Sequence, residues 1–164
     1  MKAVLIPGDG IGREIAESVR AVSEALDTGI VWQEFAAGAE YAAVEGELLQ
    51  PGLLDAIEDC GLALKGPTAT PIGKGFRSIN VQLRQRFATY ANLRPVHTLP
   101  GVKSRYDNVD VVIVRENTED LYKGIEYMLN DDIANGVKLI TRPACDKICR
   151  FAFDYARKNG RKKV

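Results

Sequence analysis

Ser78, Asn80, Arg84, Arg94 and Arg115 are the residues of this 164-residue chain whose types and spacing most invite chemistry. Each guanidinium fork can grip one carboxylate through two parallel hydrogen bonds, so three of them beside small donors suit a small molecule carrying several carboxylates. Asn80 and Arg84 are four apart, which on a helix stacks them one turn above the other on the same side. Ser78 is a credible N-cap for that helix and adds its hydroxyl to the cluster. Arg115 arrives from the end of a different predicted strand. Nucleic acid is the rival guest. The patch offers few stacking aromatics beyond Phe76, Phe87 and Tyr90, however, and the chain as a whole is not basic.

Net charge is zero, but the signs are segregated. Residues 1–59 hold twelve acidic side chains against three basic ones. Residues 60–106 hold eight basic ones, Lys65, Lys74, Arg77, Arg84, Arg86, Arg94, Lys103 and Arg105, and no carboxylate. Between residues 107 and 132 the balance reverses to eight acidic against two basic. The central arginines therefore await either an anion from outside or the acidic flanks after folding.

Other motifs carry less. Gly8-Asp9-Gly10-Ile11-Gly12 invites a dinucleotide reading, but the fingerprint wants G-x-G-x-x-G and position 13 is Arg, so a structural turn is preferred to a phosphate site. Lys65-Gly66-Pro67-Thr68-Ala69-Thr70-Pro71 lacks the G-K-[ST] end of a P-loop, although its hydroxyls and bare amides suit a hydroxylated or phosphorylated ligand. His97 has no nucleophile motif around it and reads as a surface or packed histidine. Tyr122 follows an acidic loop and gains a catalytic reading only if cations surround it. Cys60, Cys145 and Cys149 are an odd number without a zinc pattern, and read as reduced, buried structural thiols.

The elements that must hold these residues alternate. Lys2 to Ile6 predicts a short buried strand, Pro7 to Gly12 a turn, and the following helix places Ile15, Val19, Val22 and Leu26 on an apolar stripe. Ile30 to Phe35 reads as β, Glu40 to Leu49 and Pro51 to Asp59 as helices, and Gly61 to Leu64 as a buried strand. Ile79, Leu83 and Phe87 give the next helix its apolar side. Val109 to Val114 and Val137 to Thr141 are strand-like, and Ala144 to Lys158 is a helix expected to bury Cys145, Ile148, Cys149, Ala152 and Ala156. Strand and helix in alternation predict an α/β, doubly wound, mainly parallel sheet, with ligands at the carboxyl ends of its strands. Hydrophobic residues at 46% and charged residues at 27% give ample material for a core. No apolar run approaches the roughly 20 residues that cross a bilayer, and no secretory leader is expected, so the expected location is the cytoplasm.

In order along the chain, Ile6-Pro7-Gly8-Asp9-Gly10-Ile11-Gly12-Arg13-Glu14, Lys65-Gly66-Pro67-Thr68, Ser78-Ile79-Asn80-Val81-Gln82-Leu83-Arg84, Ala91-Asn92-Leu93-Arg94-Pro95 and Arg115-Glu116-Asn117-Thr118-Glu119-Asp120-Leu121-Tyr122 resemble the β-decarboxylating isocitrate and isopropylmalate dehydrogenases. The Ser-x-Asn before the first arginine and Arg-Glu-Asn-Thr-Glu are similar to the isocitrate branch. The resemblance implies that Ser78, Asn80, Arg84, Arg94 and Arg115 bind the carboxylates of isocitrate. It implies that Tyr122 is the acid that protonates the enolate carbon after decarboxylation, and that Thr68 and Thr70 line the nicotinamide site. In this family NAD or NADP accepts the hydride, and Mg²⁺ or Mn²⁺ acts as Lewis acid.

Members of the family run to about twice this length. The resemblance implies that the lysine of a Val-His-Lys-Ala-Asn segment and the metal-binding aspartates lie beyond Val164; separately, Arg161 to Val164 reads as the lead-in to a further strand. On that basis residues 1–99 begin the large α/β domain and residues 100–164 begin the smaller substrate and dimerisation domain. This portion alone is expected to be inactive. A homodimer is implied, with Ile125 to Thr141 resembling an intersubunit clasp; neither nucleic acid nor membrane is an expected partner. The alternative is a non-catalytic polycarboxylate-binding or regulatory module. NAD against NADP, and isocitrate against homoisocitrate, stay open at this level.

Overall fold

A computed structural model describes residues 1–69 and 78–164. Thr70 lies outside the described residues. The chain forms two compact units, Met1–Gln82 and Leu83–Val164.

The first unit is built on β1 (Lys2–Ile6), whose Ala3, Val4, Leu5 and Ile6 are all at most 1% exposed. An uninterrupted apolar run belongs in a strand covered on both faces, and β1 is the middle of a parallel three-stranded sheet ordered β2-β1-β3. The chain leaves β1 through α1 (Gly12–Ala25) to β2 (Val31–Glu34) on one side. It then returns through α2 (Ala39–Glu45) and α3 (Leu53–Cys60) to β3 (Ala63–Lys65) on the other. Leu53 and Ile57 of α3 are buried, and α3 packs on β1. The reversal at β1 brings the loops after β1 and β3 side by side at the carboxyl ends of their strands, where a doubly wound sheet holds ligands.

Those two loops are in backbone contact. Gly66 N donates to Ile6 O at 2.7 Å and Asp9 N donates to Pro67 O at 2.8 Å. Gly8 has φ +81°, and a Cβ there would overlap the Pro67 carbonyl, so the approach depends on glycine.

The stripe Ile15, Val22 and Leu26 is exposed, and α1 instead buries Gly12, Ala16 and Ser23. The period was right and the phase was not, because the smallest side chains allow the closest approach to the neighbouring backbone. Leu62 and Leu64 around β3 are 44% and 40% exposed, since β3 is an outer strand of its sheet. The second helix stops at Glu45, with Gly46 left-handed (φ +81°) as its C-cap, rather than running to Leu49.

Helix α4 (Ile79–Arg86) starts in the first unit, where Ser78 O accepts the first helical bond from Gln82 N at 3.0 Å and Ile79 is fully buried. The second unit holds β4 (Ala91–His97), β5 (Asp110–Glu116), a 3₁₀ turn at Leu121–Lys123, β6 (Glu126–Asn130), β7 (Ile133–Gly136) and α5 (Arg142–Lys158). β4 and β5 pair antiparallel along their whole length, from Ala91 opposite Glu116 to His97 opposite Asp110. This ladder ties residues 91–97 to the second unit. β6 and β7 form a separate antiparallel ribbon; residues 137–141, read as a strand, contribute only a single bridge, Leu139 with Asp120.

Helix α5 opens on Thr141, whose hydroxyl accepts from Ala144 N at 3.4 Å, and has Pro143 in its first turn. It packs on β5, burying Ala156 and half-burying Ala144, Ile148, Phe151, Ala152 and Tyr155. Cys145 and Cys149 are exposed, against the sequence expectation, because each lies one residue, about 100°, round the helix from Ala144 and Ile148. Among the described residues no helix is long and apolar enough to cross a membrane.

Candidate functional site

Arg115, the penultimate residue of β5, donates from Nη2 to the Tyr122 hydroxyl at 2.8 Å. Its Cζ lies 5.6 Å from the Tyr122 ring centroid, and Arg84 of α4 places its own Cζ 5.3 Å from the same centroid. Gln85 Nε2 donates to the Tyr122 carbonyl at 3.2 Å, so α4 touches this residue twice. Two guanidinium groups thus stand close to one phenol ring.

The ladder register adds Arg94. Arg115 stands opposite Asn92, and Asn92 Oδ1 accepts from Arg94 Nε at 3.1 Å. Because strand side chains alternate, Asn92, Arg94 and Arg115 share one face of the β4–β5 pair. Among the described residues none of Arg84, Arg94 and Arg115 is ion-paired with a carboxylate. The acidic flanks pair elsewhere: Arg13 with Glu40, Arg20 with Glu34, and Arg161 with Asp110.

The loop between Arg115 and Tyr122 is shaped by its own acids. The Glu116 carboxylate accepts from Thr118 Oγ1 (2.6 Å), Thr118 N (2.9 Å) and Glu119 N (2.9 Å). Partial burial opposes its charge, yet the Thr118 hydroxyl and the Glu119, Thr118 and Asn117 amides together hold Glu116 below the usual carboxylate range. Glu119 accepts from both Thr141 N and Thr141 Oγ1 at 2.8 Å, anchoring the loop to the start of α5. Asp120 takes φ +61°, and its amide donates to Leu139 O at 2.9 Å just before the turn that carries Tyr122. Asn117 is 5% exposed and its Oδ1 has no partner among the described residues.

In the first unit Lys65 Nζ donates to Thr68 Oγ1 at 3.0 Å and to Gly66 O at 2.6 Å, setting the loop after β3. Asp9 binds three amides, Ala39 N (3.0 Å), Glu40 N (2.9 Å) and Ala69 N (2.5 Å), while Glu40 accepts from Gly10 N at 2.8 Å. These bonds tie the loop after β1 to the start of α2 and to the loop after β3. Ser78 and Asn80 occupy the start of α4, with Asn80 one turn before Arg84 along the helix.

Asn92, Glu116, Glu119 and Lys65 were not singled out from sequence. Asn92 is revealed by the register, which sets it opposite Arg115; the two glutamates act through Thr141 and the loop's own amides, which spacing alone does not reveal. His97 lies on the surface, its Nδ1 3.1 Å from Asp110 Oδ1. Among the described residues no group of three or more His, Cys, Asp or Glu side chains is arranged to hold a metal ion.

A family model described as isocitrate/isopropylmalate dehydrogenase matches residues 2–164. The chain is 47% identical over its full length to the isocitrate dehydrogenase [NAD] catalytic subunit 6, mitochondrial, of Arabidopsis thaliana, covering 44% of that protein. It is 43% identical over its full length to the chloroplastic 3-isopropylmalate dehydrogenase of Solanum tuberosum, covering 46%. It is also 45% identical, over 99% of its length, to a mitochondrial NAD isocitrate dehydrogenase of Dictyostelium discoideum that is named as regulatory, covering 44% of that protein. The chain therefore spans somewhat less than half the length of these relatives. The crystal structure of isocitrate dehydrogenase from Methylococcus capsulatus superposes with a TM-score of 0.93 at 42% identity, over 99% of this chain and 49% of that one.

Proposed function

The chain belongs to the isocitrate/isopropylmalate dehydrogenase family, and from that premise we propose that it forms the substrate-gripping portion of an isocitrate dehydrogenase, which oxidatively decarboxylates isocitrate to 2-oxoglutarate with NAD or NADP. The observation that carries this reading is the set of three arginines without carboxylate partners among the described residues, two against Tyr122 and the third on the ladder face of the second. Such a set leaves bidentate sites for a multiply charged acid and keeps a phenol beside them.

In this reading Arg84, Arg94 and Arg115 bind and orient the carboxylates, with Ser78 and Asn80 contributing neutral donors from α4. Orientation is the larger part of their work, since holding the substrate in a reactive pose removes an entropic cost from the step. Tyr122 delivers its hydroxyl proton to the enolate carbon left after carbon dioxide departs. Arg115 fixes the phenol oxygen, and its positive charge faces the negative charge that the proton leaves behind. Thr68, held by Lys65, and Thr70 line the nicotinamide side. The nicotinamide, when bound, supplies the hydride acceptor; relatives named for NAD support NAD over NADP. A divalent metal belongs to the family's chemistry, where it would act as Lewis acid; among the described residues no group of three or more His, Cys, Asp or Glu side chains is arranged to hold one.

The ribbon β6–β7 exposes Tyr127, Met128, Leu129 and Ile133, which suits the clasp role of residues 125–141 in a dimer. In the same reading the complete protein divides near residue 99 and works in the cytoplasm. A second reading, that of a non-catalytic polycarboxylate-binding protein, is favoured by the relative whose name is regulatory. The complete protein, assayed with isocitrate, Mg²⁺ and NAD or NADP, should form reduced nicotinamide, while residues 1–164 alone should not. Isocitrate binding without turnover by the complete protein would select the regulatory reading, and preference for isopropylmalate would overturn both.

A further inference from the structure

We propose that Cys145 and Cys149 form a two-thiol site on α5 for trivalent arsenicals and similar soft groups that need two sulfur bonds. Both thiols are free and exposed, and they stand four residues apart within Arg142–Lys158. Four residues is one helical turn, so the two side chains leave the same side of α5 with bases about 5–6 Å apart. A direct disulfide wants Cβ atoms about 3.5–4.5 Å apart, closer than an intact helix brings them. A third atom bonded to both sulfurs spans the extra distance without unwinding the turn.

The chemistry of the occupant follows from the ligand count. Among the described residues no third His, Cys, Asp or Glu joins the pair in a metal-holding group, so four-coordinate zinc is a poor match. An aryl arsenoxide needs two sulfurs only, because carbon already fills its remaining valence. In the step, two S–H bonds break and two S–As bonds form. The arsenoxide oxygen leaves as water with the two thiol protons, and arsenic stays trivalent.

The site is next to functional structure. Thr141, one turn before Cys145, is the residue that Glu119 grips by hydroxyl and amide, so a bridged pair stiffens the end of α5 to which the Tyr122 loop is anchored. The remaining thiol, Cys60, is half-buried in the other unit with its Sγ 3.5 Å from Gln33 Oε1, and serves as an internal control.

The test titrates the reduced full-length protein with phenylarsine oxide and reads intact mass, thiol count and peptide map. One arsenic should appear on the peptide holding residues 145 and 149, with both of its thiols consumed and Cys60 still titratable. The adduct should resist excess monothiol and reverse with 2,3-dimercaptopropanol. Cys145→Ser and Cys149→Ser should each weaken binding at least about tenfold, as loss of one of two bonds demands, and Cys60→Ser should leave it unchanged. Consumption of one thiol, reversal by monothiol, an adduct mapping to Cys60, or full affinity in either single variant would each overturn the proposal. If a serine variant does not fold, the thiol count and peptide map of the unsubstituted protein decide alone.

Discussion

The Arg115 guanidinium and the Tyr122 hydroxyl meet at 2.8 Å although six residues separate them, because the intervening loop is folded back on the Glu116 carboxylate. Arg115 is set by a seven-residue antiparallel ladder and Tyr122 by a short 3₁₀ turn. A rigid strand end and a glutamate-braced loop give this pair a defined geometry before any ligand arrives.

Removing the Tyr122 hydroxyl isolates its chemical role. Tyr122→Phe keeps the ring near Arg84 and Arg115 but deletes the proton and the hydrogen bond to Arg115. In the complete enzyme kcat should fall by about 10²–10⁴, the usual worth of a positioned acid, with the isocitrate KM changed far less. Steady-state kinetics of the two proteins checks this, and a kcat within twofold of the unsubstituted enzyme would remove Tyr122 from the mechanism.

Arg94→Lys tests the fork rather than the charge. Lysine keeps the positive charge but cannot bond a carboxylate in parallel pairs or donate through Nε to Asn92. A lost charge-assisted hydrogen bond is worth about 1.5–3 kcal/mol, so the isocitrate Kd or KM should rise about 10- to 150-fold. Calorimetric titration reads the change; an unaltered Kd would mean that Arg94 does not touch the substrate.

How far the sequence announced this depends on the element. β1 was legible because four apolar residues, Ala3 to Ile6, end abruptly in Pro7-Gly8, and α5 because Ile148, Ala152 and Ala156 recur at helical spacing. β4 was not, since Pro95 argues against a strand; it is tolerated where, among the described residues, β4 pairs with β5 alone. The arginines were legible as types. Their common face was not, because it depends on Asn92 facing Arg115 in the register. The phase of α1 and the exposure of Cys145 and Cys149 failed for one reason: a helical period names the stripe, while the neighbouring backbone decides which side it meets.

Asp9 predicts a stability effect away from the arginines. Its carboxylate joins the loop after β1 to the first two amides of α2 and to Ala69 N in the loop after β3. Asp9→Ala leaves these donors without a protein partner and should cost about 1–2 kcal/mol, in the range of a lost helix cap. Urea unfolding measures it as a lower midpoint at unchanged slope. Asp9→Asn, which retains one acceptor oxygen, should lose less. Equal stability of the alanine variant would show that the three bonds contribute nothing net.

Glu116 predicts the acid response of the Tyr122 loop. Its folded-state pKa lies below the ordinary value because the Thr118 hydroxyl and three loop amides, acting against partial burial, favour the charged form. A depressed carboxyl pKa contributes stability that is fully present above the unfolded value, about 4.3, and is lost as pH falls through the folded value. The Thr118 and Glu119 amides should therefore stay protected from hydrogen exchange at neutral pH and lose protection when the protein is held below about pH 4, after correction for the intrinsic exchange rate. Glu116→Gln, which has no charge to lose, should show weaker protection at neutral pH and little change on acidification. Exchange read by mass spectrometry on the peptide spanning residues 116–122 distinguishes the two, and identical pH profiles would mean that the carboxylate charge does not hold the loop.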